Sequence, residues 1–102
     1  MDLVYFQAGA VYTIEFKLKD WRRAIEQARD HQLGADFAYI CLPERKVTPA
    51  MRDAAERNGI GILEFQEKDD WPFSTVLPAR RSQDQWTVAR ENLISLLTPT
   101  PS

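Results

Sequence analysis

Glu15 and Lys17 stand two residues apart in Val11-Tyr12-Thr13-Ile14-Glu15-Phe16-Lys17-Leu18, the spacing of neighbours on one face of a β-strand. Side chains alternate along a strand, so Tyr12, Ile14, Phe16 and Leu18 make one apolar face while Glu15 and Lys17 share the other, about 7 Å apart. A carboxylate and an amine held this way by backbone suit phosphodiester hydrolysis. That reaction calls for a divalent cation on oxygen ligands, a positioned water and a cationic side chain near the developing charge. Asp2 is the natural second carboxylate, and the backbone carbonyl of Phe16 offers a further oxygen. Two carboxylates about 4 Å apart repel by about 4 kcal/mol at an effective dielectric of about 20, so such a pair shares a proton or recruits a cation. Magnesium or manganese resolves the conflict, and Lys17 then orients or deprotonates water and stabilises the charge that builds up. The competing reading of Glu15 and Lys17 is a solvated ion pair worth less than about 1 kcal/mol.

Whether Asp2 meets Glu15 depends on a hairpin. Leu3 to Gln7 reads as a strand and Val11 to Leu18 as its partner, joined through Ala8-Gly9-Ala10, whose glycine accepts the positive φ of a tight turn. An even loop sets Asp2 across from Glu15; an odd loop sets it across from Phe16. Asp20 is a good N-cap for a helix from Trp21 to Gln32 that closes near Gly34, with Trp21, Ala24, Ile25 and Ala28 at helical spacing. Asp36 to Leu42 is nearly all apolar, which predicts a central strand parallel to the one before the helix. Thr48 and Pro49 open a second helix that buries Met51, Ala54 and Ala55 and stops at Asn58-Gly59. Ile60 to Phe65 is a further strand, and Phe73 to Leu77 an edge strand closed by Pro78. Ser82 with Gln85 resembles a capping box for a last helix carrying Trp86, Ala89, Leu93, Leu96 and Leu97. The order of elements predicts one α/β domain over residues 1–97, a mixed sheet flanked by helices, with a tail over 98–102.

The formal charge of −2 argues against a protein that coats nucleic acid by charge alone. Lys17, Lys19, Arg22, Arg23 and Arg29 nonetheless gather around the Glu15 strand and the helix after it, a basic rim suited to an anionic substrate. Arg80 and Arg81 are a second candidate phosphate contact. Of the three tryptophans, Trp21 and Trp86 fit helical core stripes, and Trp71 lies in an acidic loop that is poor for stacking bases along a phosphate chain. No apolar run approaches the roughly 18 residues of a membrane span. The single cysteine, Cys41, forms no internal disulfide, so a cytoplasmic protein without membrane contact is expected.

The stretch from Asp2 through Pro43 resembles the PD-(D/E)XK nuclease superfamily, the restriction-endonuclease-like fold. The matching features are an aspartate opening a strand, a hairpin, Ile14-Glu15-Phe16-Lys17, the helix from Asp20 to Ala28, and Ala35-Asp36-Phe37-Ala38-Tyr39-Ile40. The resemblance implies metal ligation by Asp2 and Glu15 and assistance to water by Lys17. It also draws in Gln27, on the helix after the motif strand, with His31 four residues on along the same helix face. The implied activity is magnesium- or manganese-dependent hydrolysis of nucleic acid, with DNA the expected substrate and Lys19, Arg22, Arg23 and His31 as substrate contacts. The usual helix and strand before the aspartate are missing from this chain. A second copy supplying a sheet edge, hence a homodimer, is one expectation that follows, and a catalytically silent nuclease-like domain that binds nucleic acid or protein is the alternative.

Overall fold

The computed structural model describes residues 3–16, 20–43, 46–66, 73–82, 85 and 87–97. Strand β1 (Leu3–Gln7) and strand β2 (Ala10–Phe16) form the antiparallel hairpin, paired from Leu3↔Ile14 to Gln7↔Ala10. The loop is the two residues Ala8 and Gly9, with φ of 51° and 79°; two residues of positive φ match the right-handed twist of the strands they join. This is the even-loop register. Asp2, expected from it to face Glu15, lies outside the described residues.

Ala8 holds a left-handed conformation that costs an alanine about 1–2 kcal/mol, a cost that asparagine bears more easily. Its side chain is exposed, so a substitution there loses no packing. Ala8→Asn is expected to stabilise the chain by about 0.5–1 kcal/mol, a rise of a few degrees in Tm. An unchanged or lower melting temperature would count against the left-handed turn.

Helix α1 (Trp21–His31) starts as expected: the Asp20 side chain accepts from Arg23 N at 3.3 Å, and Ala24, Ile25 and Ala28 are buried. It ends one residue before the sequence-based limit, with Gln32 as its C-cap. The crossover leads to strand β3 (Phe37–Pro43), parallel to β2 through pairs from Tyr12↔Phe37 to Phe16↔Cys41. Thr48 caps helix α2 (Pro49–Arg57), its hydroxyl accepting from Met51 N at 3.3 Å. Ala55 is buried, while Met51 and Ala54 are half-buried. Strand β4 (Gly61–Phe65) runs parallel to β3, and strand β5 (Phe73–Leu77) antiparallel to β4, giving the order β1-β2-β3-β4-β5. The chain is thus an α/β fold with a five-stranded mixed sheet, and β5 is the edge that Pro78 demands.

Helix α3 (Thr87–Leu97) packs against β1. It starts later than the Ser82–Gln85 signal predicts, because those residues have another use. Ser82 N donates to Asp36 O at 2.7 Å, and Gln85 Nε2 donates to Ala35 O and to Asp36 Oδ1. Gly34 admits α3 closely: a Cβ there would stand 2.7 Å from Ala89 O, a backbone atom that cannot step aside. The segment 98–102, expected as a tail, lies outside the described residues. Among the described residues no helix is long and apolar enough to cross a membrane.

The main core joins Ala38, Ile40 and Leu42 of β3 and Ile62 of β4 to Ala24, Ile25 and Ala28 of α1 and Ala55 of α2. A second cluster, Ile14, Cys41 and Leu63 with Tyr5, Tyr39 and Phe73, fills the other face of the sheet. Each fully buried isoleucine contributes about 1.5–3 kcal/mol, so the helix-covered face, with Ile40, Ile60 and Ile62, anchors the fold.

Candidate functional site

Glu15 is one residue from the carboxyl end of β2 and pairs with Ile40. Ile40 belongs to the core under α1, so the alternation along paired strands places Thr13 and Glu15 on the helix-covered face. Glu15 is 3% exposed and Thr13 fully buried, whereas Phe16, on the opposite face, is 36% exposed. The apolar face carrying Tyr12, Ile14 and Phe16 is thus the more open one at this strand end, and the acid is inside. The helix decides this: the crossover from β2 to β3 lays α1 over the side that bears Glu15.

Gln27 and His31 lie one turn apart on α1, beside Ala24 and Ala28. Gln27 Oε1 is buried on this side, as is Thr13 Oγ1, and neither takes a hydrogen bond from the described residues. Helical side chains lean toward the amino end of their helix, which for α1 is the end beside Glu15. Gln27 therefore leans along the helix toward the acid. His31, with its Nδ1 also buried, is the last residue of α1 and sits near the far end of the sheet, where Ala35 N donates to His31 O at 2.9 Å. The structure thus separates His31 from the Glu15 end.

Arg22 and Arg23 occupy the first turn of α1, the same end as Glu15, and both are exposed. The Arg22 guanidinium lies 4.4 Å from the centre of the Trp21 ring, and Trp21 itself packs on the core, which removes it as a stacking platform. Lys17, Lys19, Trp71 and Trp86 lie outside the described residues. Among the described residues no group of three or more His, Cys, Asp and Glu side chains gathers. Of the ligands expected from the sequence, Asp2 lies outside the described residues; the Glu15 carboxylate and the Phe16 carbonyl are hard oxygen donors, the type that suits magnesium or manganese.

A residue that sequence reasoning treated only as the first of a strand turns out to be a hub. Asp36 is 3% exposed. Its carboxylate accepts from Val11 N at 2.8 Å, Gln85 Nε2 at 2.9 Å, Arg81 Nη1 at 3.1 Å and Arg90 Nη1 at 2.8 Å. Burial pushes the carboxyl upward, but the bonds from Gln85 and Val11 and the Arg90 guanidinium outweigh it and hold Asp36 below the ordinary carboxylate value. The signal was an acid at the mouth of an apolar strand followed much later by two arginines, and separations of this length leave no local pattern.

Cys41 is buried beside Ile14 and Leu63, and desolvation pushes its thiol up to about 11. Thiolate is the reactive form, so maleimide labelling of the native protein is expected to be slow and to accelerate together with urea unfolding. Rapid labelling without denaturant would contradict this burial.

Comparison with protein-family models, curated proteins and solved structures finds no match to this chain.

Proposed function

We propose that the chain is a divalent-metal-dependent nuclease with a restriction-endonuclease-like core. The observation that carries the reading is the position of Glu15: a carboxyl group, 3% exposed, at the carboxyl end of β2 on the face covered by α1, the helix that opens with Arg22 and Arg23 and carries Gln27. A carboxyl group held at a strand end by backbone can offer its oxygens to a hard cation. The hairpin β1–β2, the crossover α1 and the parallel strand β3 follow the order of elements that the family resemblance implies.

In this reading Asp2, Glu15 and the Phe16 carbonyl hold magnesium or manganese, which when bound offsets the charge on the phosphate undergoing attack. Lys17 orients the attacking water and stabilises the added negative charge, while Gln27 fixes that water or a phosphate oxygen by hydrogen bonding. Lys19, Arg22 and Arg23 hold neighbouring phosphates of a DNA strand. Water adds to phosphorus, the bond to the leaving sugar oxygen breaks, and the proton released by water ends on that oxygen. The test is cleavage of plasmid and branched DNA with magnesium or manganese, comparing the wild type with a Glu15→Gln, Lys17→Ala double variant. Equal rates, or no cleavage by a verifiably folded wild type, would defeat the proposal.

A further inference from the structure

The end of the sheet away from Glu15 carries a second feature that the nuclease reading does not use. A cleft of about 450 Å³ opens between the last turn of α1, the last turn of α2 and the segment after β5. Arg29, Arg57, Arg80 and Arg81 line it, with Gly59 and Ser82, and no acidic side chain is among its lining residues. Ser82 N donates to Asp36 O, and Asp36 N donates to Val11 O, so the cleft is level with Val11. Four residues of strand, on the order of 13 Å, separate that level from Glu15.

Arginines near helix carboxyl ends are ordinary partners of the helix dipole, each end amounting to about half a negative charge. Here two of them, Arg29 and Arg57, are joined by Arg80 and Arg81 on one cleft wall. Asp36 is shared by Arg81 and Arg90, and Asp53 pairs with Arg57 at 3.3 Å. Glu26 and Asp30 flank Arg29, and Glu56 stands near Arg80, outside the cleft, so what distinguishes the cleft is not net charge but four guanidinium groups on its wall with no carboxylate among them.

Two of the guanidiniums are already held in place. Arg80 lies across Gly59, 3.5 Å from where a Cβ would stand, and its Nη2 donates to Glu56 O at 2.7 Å. Arg81 is held by Asp36 at 3.1 Å, and its guanidinium stands 5.2 Å from the Phe37 ring centre. A guanidinium carries five N–H donors in a planar fork, so both keep donors to spare after these bonds. Arg29 makes no ion pair among the described residues, and Ser82 Oγ, buried at the same place, has no hydrogen-bond partner among them. Gln32 Nε2 donates to Asn58 O at 2.8 Å, tying the two helix ends so that the floor is fixed before any ligand arrives.

We infer that this cleft is a binding site for a phosphate monoester. Three terminal oxygens and a charge near −2 match four guanidinium groups and their several donors, with no carboxylate on the wall, better than a phosphodiester with two free oxygens does. The volume takes a ligand of nucleotide size. A free phosphorylated metabolite and the phosphorylated end of a nucleic-acid strand present this same chemistry. The inference stands independently of the nuclease reading, since it uses neither Glu15 nor a metal.

The test is titration of the full chain with inorganic phosphate, pyrophosphate, adenosine monophosphate and a tetranucleotide with and without a terminal phosphate, at constant ionic strength and without divalent metal. Amide proton–nitrogen spectra are expected to show saturable shifts centred on Gly59 and Ser82. The Arg29→Gln, Arg57→Gln double variant, whose two side chains are exposed, is expected to melt only a few degrees lower, from the lost helix-end charges, and to bind adenosine monophosphate at least about tenfold more weakly. Arg80→Gln provides a second variant should the first lose stability. Comparable affinity for the mononucleotide and the phosphorylated tetranucleotide assigns the site to small metabolites, and clearly tighter tetranucleotide binding assigns it to strand ends; both support a monoester site. Absence of saturable shifts, shifts unaffected by both variants, or equal binding of the tetranucleotide without its terminal phosphate would overturn it.

Discussion

Replacing Glu15 by glutamine is expected to lower magnesium-dependent DNA cleavage roughly a thousandfold or more while leaving the protein folded. The side chain keeps its size and its ability to accept hydrogen bonds but loses the charge that a hard divalent cation requires. Glu15 is 3% exposed, and exchange for its neutral isostere is expected to leave a cooperative melting transition, which checks that the variant is folded. Loss of rate combined with a retained fold separates a functional role from a structural one. Adding Lys17→Ala is expected to reduce the rate little further, since groups serving one chemical step are strongly non-additive. A rate within a fewfold of the wild type, measured on a folded variant, would remove Glu15 from the chemistry.

Asp36 carries the largest expected effect on stability. Asp36→Ala strands the Arg90 guanidinium and the buried Val11 N–H and frees Gln85 from its position, and breaking a buried network from one side costs about 3–5 kcal/mol. A domain of this size has about 5–15 kcal/mol in total, so the variant is expected to melt well below the wild type or to be partly unfolded at room temperature. Asp36→Asn, which retains one acceptor, is expected to lose less. The same carboxylate sets a pH dependence. Its folded value lies below the ordinary 3.8, so between the two values the unfolded chain binds more protons and stability rises with pH. The contribution is complete above the unfolded value and is lost as pH falls through the folded one. Urea midpoints measured across the acid range should decline more steeply for the wild type than for Asp36→Asn; parallel declines would show that Asp36 is not the linked group.

The elements that local chemistry specifies were legible in the chain. The glycine of Ala8-Gly9-Ala10 marks a tight turn, though not that Ala10 belongs to β2; Asp20 and Thr48-Pro49 mark helix starts, and the apolar run before Pro43 marks a central parallel strand, because capping, turns and periodicity act over a few residues. Glu15 was nominated by its spacing from Lys17 along one strand and Gln27 by the family resemblance, and Asp2, Lys17 and Lys19 lie outside the described residues. What tertiary structure alone decided is which side of β2 is enclosed. A period of two distinguishes the faces without saying which one a helix will cover, and the position of α1 put Glu15 inside and left Phe16 partly exposed. It likewise drew Gln85 and Ser82 from a helix cap to Asp36 and gathered Arg29, Arg57, Arg80 and Arg81 around one cleft. Such meetings depend on which strand ends the crossovers bring level, a property of the assembled sheet that no short stretch of residues encodes.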